Sequence, residues 1–181
     1  FSQFVNQDNS PFFYSDFVLL KKKKQIYETN FVNAAAWLIP KKVLFDVGGF
    51  DPMFCHYGED DNYCQRIIYH GYKIGIVPGS FIKHDSRVRR FPANYFYSNK
   101  YFYNYKKSLQ VKFGNINVAL NKKTLLKEKK KILSILFENF INFKYYPLKK
   151  YWRHYRLVSD TFQEIEESRK INRSKSPHYL S

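Results

Sequence analysis

At 181 residues with 44% apolar side chains, the chain is long enough to bury a core and too apolar to be a disordered tail. Two cysteines, Cys55 and Cys64, are too few for a disulfide framework and fit a reduced, cytosolic setting; no apolar run reaches the length of a membrane span. The formal net charge of +16 is one-sided: residues 1–82 hold eight Lys/Arg against eight Asp/Glu, and residues 83–181 hold 23 against seven, so the second half calls for an anionic partner.

Residues 1–30 show no clear periodicity, and the lysines at 21–24 suit an exposed loop or strand edge. "NFVNAAAWLIP" (30–40) reads as a buried strand. Pro40 suits the first turn of a short helix through Val47, because its missing N–H costs nothing there. Gly48 and Gly49 stop that helix. "FDPMFCHYG" (50–58) is a loop, and a second helix starts near Glu59 and ends before Gly71. Its spacing places Asp60, Cys64, Ile67 and Ile68 on one side. "YKIGIV" (72–77) alternates as a strand does, a Pro-Gly turn follows, and "SFIKHD" (80–85) reads as a short strand entering a loop. Three helices follow, over 94–107, 124–143 and 148–170, and the tail from Ile171 reads as disordered. Cys55, His56, Cys64 and His70 do not have the spacing of a zinc knuckle.

The ordered set "VGGFDPMF", "YGEDDNYCQR" and "HGYKIGIVPGSFIKH" over residues 30–85 resembles the second half of the catalytic domain of family-two glycosyltransferases, inverting enzymes of the GT-A fold. The resemblance implies an α/β, Rossmann-like half-domain over residues 1–88. It further implies sugar transfer from a nucleotide-sugar donor to a hydroxyl of a surface glycan or lipid-linked acceptor. Asp60 matches the family's general base and Glu59 the acid that binds or positions the acceptor. His84 matches the histidine that helps to hold Mg²⁺ or Mn²⁺, which compensates charge on the leaving diphosphate. Trp37 suits stacking on a sugar ring or a place in the core. Asp61 fills a variable position, and Asn62 departs from the family's second Asp. Acids in a first helical turn also serve as caps and dipole partners, and His84 also reads as a plain loop histidine. Arg66 is expected to brace Glu59 or Asn62. The family's first half, with its DxD metal motif, has no counterpart here, so the expectation is a segment of a longer enzyme, inactive alone, working in the cytoplasm or at the inner face of its membrane.

Residues 89–170 interleave Lys and Arg with Tyr, Phe and Trp. That composition fits helices lying on a membrane surface, or solvated helix faces over an aromatic core. Nucleic acid is the weaker partner, since no recognised binding motif accompanies the charge. A reading from a different class makes the whole chain a non-catalytic basic module for anionic membrane or nucleic acid.

Overall fold

A computed structural model describes residues 25–180 apart from His56, Gly79, 81–94, 96–97 and Tyr146. The chain divides into two compact units, residues 1–88 together with 171–181, and residues 89–170.

The first unit contains β1 (Tyr27–Thr29), helix α1 (Lys41–Val47), a 3-10 turn (Pro52–Phe54), helix α2 (Glu59–Tyr69) and β2 (Ile74–Ile76). The strands pair antiparallel, with Tyr27 opposite Ile76 and Thr29 opposite Ile74. This corrects the expected fold class. The described residues are mostly helical, at 61% helix and 4% strand, and the sheet is a two-stranded ribbon rather than part of a Rossmann-like sheet. The physical reason lies in residues 30–40, which form a loop with a turn at 34–36 instead of a strand. Asn33 closes that loop, its carbonyl accepting from the Trp37 indole N–H at 2.8 Å, and Leu38 points almost wholly into solvent at 99% exposure. The loop's larger apolar side chains, other than Leu38, pack on the core. Phe31, Val32, Trp37 and Ile39 lean on a core of Val43, Val47, Tyr63, Cys64, Ile67 and Ile74.

The helix expected from Pro40 forms at 41–47, with Pro40 as its N-cap. Gly48 ends it at φ 85° and ψ −171°, a region that only glycine enters without strain, and its N–H caps the Leu44 carbonyl at 2.8 Å. The glycine pair has a second use. A Cβ on Gly48 would sit 2.3 Å from the His178 carbonyl oxygen, and one on Gly49 would sit 2.6 Å from that of Tyr179. The tail is therefore not loose, as the sequence suggested. It lies against residues 46–51. Gly49 N–H donates to the His178 carbonyl at 2.7 Å and Ser176 N–H to that of Asp46 at 3.1 Å. Asn172 Nδ2 donates to Asp51 Oδ2 at 2.7 Å. Asp51 uses its other oxygen to cap the 3-10 turn at Met53 N–H.

The second unit holds α3 (Asn99–Gly114), α4 (Lys122–Ile141) and most of α5 (Leu148–Asn172). Ser98 and Asn121 cap α3 and α4, accepting from the N–H groups of Tyr101 and Thr124. On α5 the buried positions His154, Val158, Thr161 and Ile165 recur at helical spacing, and Phe102, Leu109, Phe113 and Ile132 are buried on the other two helices of the unit. His154 is packed among rings. It stacks on Tyr105 at 4.1 Å and meets Tyr101, Phe102 and Tyr151 edge-on or tilted. No described helix is long and apolar enough to cross a membrane.

Two expected outcomes follow from this packing. Gly48→Ala should destabilise the protein by about 2–4 kcal/mol, since φ strain and displacement of the tail add; hydrogen exchange at the Gly49 amide should accelerate with it. Unchanged exchange there would mean that the tail does not depend on the glycine. Burial pushes His154 down to about 4 from 6.5. The fold then holds it neutral while the unfolded chain protonates, so stability is full above about pH 6.5 and is lost as pH falls toward 4. His154→Phe should flatten the dependence of melting temperature on pH over that window.

Candidate acidic site

Two residues with positive φ, Tyr57 at 86° and Gly58 at 89°, lead the chain into α2. A left-handed tyrosine is rare and costs free energy, so the surrounding structure must hold this entry in place. Gly58 brings no side-chain cap. The first turn is instead occupied by Glu59, Asp60 and Asp61. Asp60 Oδ1 accepts the Asp61 N–H at 2.9 Å, and the Asp60 carboxylate also takes a hydrogen bond from the Ala34 backbone. Ala34 lies in the loop that Trp37 and Asn33 close, so one loop holds both Asp60 and Trp37.

Cys64, one turn after Asp60, faces the same loop, its thiol donating to the Val32 carbonyl at 3.7 Å. Burial pushes that thiol up to about 11, which keeps it protonated and poorly nucleophilic. Trp37 is half-buried, with its ring centroid 5.6 Å from that of Tyr63 and 5.9 Å from that of Phe50. Both uses foreseen for it remain open to the indole, since its ring joins the core edge without being enclosed.

Electrostatics at the three acids runs against the simple helix-dipole expectation. The helix N-terminus favours ionised carboxylates. Burial outweighs it: Asp60 is raised above the usual carboxylate range, first by desolvation and then by the neighbouring Glu59, against its backbone hydrogen bonds. Asp61 is pushed up to about 6 by burial, with Asp60 and Glu59 adding repulsion. Glu59 Oε2 and both side-chain polar atoms of Asn62 are buried with no hydrogen-bond partner among the described residues. Sequence reasoning gave Asn62 no role, yet it is 1% exposed beside the acids and has unspent hydrogen-bonding capacity.

Arg66 braces neither Glu59 nor Asn62, contrary to expectation. Its Nη1 donates to the Gly49 carbonyl at 2.7 Å and its Nη2 to that of Val47, while the Tyr63 hydroxyl donates to the Gly48 carbonyl at 2.9 Å. The GGFD segment and the acidic helix are thereby one braced piece. His84, and the strand expected around it, lie outside the described residues. Among the described residues, no group of three or more His, Cys, Asp or Glu side chains is arranged to hold a metal ion. No family model, curated protein or solved structure matches this chain.

The raised Asp61 has a measurable consequence. Between about pH 4 and pH 6 the unfolded chain gives up this proton and the fold keeps it, so stability falls as pH rises through that window and then levels off. Asp61→Asn should remove the fall. At pH 7 the variant should melt roughly 2–4 °C higher, on a gain of about 1 kcal/mol after solvent screening of a half-exposed site. The two proteins should converge toward pH 4.

Proposed function

We propose that this chain carries the acceptor-side portion of an inverting glycosyltransferase, with Asp60 as the general base. The observation behind the reading is the Asp60 carboxylate. It is held by the Ala34 N–H of the Trp37-bearing loop, and burial raises its pKa, which makes it a stronger proton acceptor than a fully solvated aspartate. The order of GGFD, acidic helix, GY strand and proline along the chain supports the same reading.

In the proposed reaction the acceptor hydroxyl attacks the anomeric carbon of the nucleotide sugar. The O–H bond breaks and its proton passes to Asp60. The new glycosidic bond forms as the bond to the nucleoside diphosphate breaks on the opposite face, which inverts the anomeric centre. Glu59 orients the acceptor, and Trp37 offers an apolar ring face to its sugar. In this reading His84 would help to hold a Mg²⁺ or Mn²⁺ ion, which would compensate charge on the departing diphosphate.

The test is kcat for sugar transfer by the full-length enzyme bearing Asp60→Asn or Asp61→Asn, with melting temperatures alongside. Asparagine preserves shape and capping ability but accepts no proton. Asp60→Asn should lose on the order of 10²–10⁴ in rate, and Asp61→Asn should keep most of it. A folded Asp60→Asn enzyme with near wild-type kcat, or a folded but dead Asp61→Asn enzyme, overturns the assignment.

A further inference from the structure

Helix α4 is poorly covered. Ile132 is the one buried residue among its twenty. Along one stripe it presents Leu133, Phe137 and Phe140, which are 43%, 66% and 60% exposed. These side chains, with Leu136, Leu148 and Trp152, line a shallow apolar groove that Lys149 borders. The turn after α4 continues the apolar surface. Phe143 has a φ of 54° and stands 77% exposed, so a left-handed backbone holds a phenylalanine out in solvent. Tyr145 follows it, also exposed.

The sequence that builds this surface is mostly of one charge sign, and Lys149 borders the groove itself. Residues 129–156 carry eight Lys/Arg against the single acid Glu138. Lys130 lies one helical turn before Leu133 on the same stripe, and Lys144 follows Phe143 in the turn after α4. An apolar patch of this kind needs an occupant that accepts hydrocarbon and attracts cations.

We infer that the α4–α5 face of the second unit docks on the surface of an anionic lipid bilayer, with Phe137, Phe140, Phe143 and Trp152 entering the headgroup–acyl boundary and the flanking lysines meeting lipid phosphates and carboxylates. The combination of aromatic and leucine side chains on one face with lysine at its borders is that of an interfacial helix pair. A second copy of the chain fits poorly, because the joined faces would bring like charges together. Nucleic acid would use the lysines and the rings but leaves Leu133, Leu136 and Leu148 without a hydrocarbon partner. The inference stands on the second unit alone and is independent of the role given to Asp60.

Sedimentation with phosphatidylcholine vesicles containing about 30% phosphatidylserine, against phosphatidylcholine alone, tests it at about 0.1 M and about 0.5 M salt. The full chain should bind the anionic vesicles, and less strongly at the higher salt. Phe137→Ser/Phe140→Ser/Phe143→Ser should weaken binding by at least about tenfold with an unchanged melting temperature, since these rings are exposed. Lys144→Gln/Lys149→Gln, which spares every ring, should weaken binding to the anionic vesicles only. Light scattering and titration with a single-stranded oligonucleotide run in parallel. Vesicle binding unaffected by either variant overturns the inference. So does absence of vesicle binding, whether or not the serine substitutions abolish self-association or oligonucleotide binding.

Discussion

Each unit depends on one buried guanidinium that satisfies backbone carbonyls where a helix ends. In the first, Arg66 is fully enclosed and bonds the carbonyls of Val47, the last residue of α1, and of Gly49 just past it, with the rings of Tyr63 and Tyr179 on its flanks at 5.4 Å each. In the second, Arg169 is 3% exposed and bonds those of Phe113 in the last turn of α3 and of Asn115 and Val118 beyond it. The last carbonyls of a helix have no partner within it and carry partial negative charge, so a cation there is favoured twice over. Arginine suits the task because its planar fork serves several oxygens at once and retains its charge when buried. Desolvation still lowers the pKa of Arg66, which shows how strongly burial opposes the ion that the carbonyls hold.

The position of the acids follows from that anchoring. Arg66 and Tyr63 tie α2 to the exit of α1, and the tie sets where the first turn of α2 stands relative to the 33–37 loop. Three carboxylates in one turn repel each other and would be happier in water. They stay half-buried because the rest of the helix is pinned. The upward shifts of Asp60 and Asp61 are the electrostatic record of that conflict.

Much of this was legible from residue patterns, and the failures share a cause. Helix α1 after Pro40, helix α2 from Glu59, the strand near Ile74 and three helices in the second unit follow from apolar period, proline and glycine, although the first of those three helices runs over Asn99–Gly114 rather than 94–107. The stretch 30–40 misled because apolar content alone does not distinguish a strand from a loop whose side chains lie on helices; the Trp37–Asn33 hydrogen bond that shapes it has no composition signal. β1, at three residues, is too short to register as a period. At the site, the acids and Trp37 stood out by type and order. The braces did not, because carbonyl oxygens are the same at every position, and the choice of Val47 and Gly49 over Glu59 or Asn62 is visible only in three dimensions.

The close approach of Gly48 and Gly49 to His178 and Tyr179 orders events during synthesis. About 130 residues separate the two partners, and the whole second unit is encoded between them. As the ribosome extends the chain, α1 and α2 emerge before His178 and Tyr179 and keep their glycine surface uncovered until those residues leave the exit tunnel. The second unit therefore has the opportunity to fold first, as an insertion within an unfinished neighbour. Closure of the first unit is a long-range step with a large loop entropy. A chaperone that shields backbone at residues 46–51 would have its longest window there, and a stalled nascent chain would expose the acidic helix before its tail arrives.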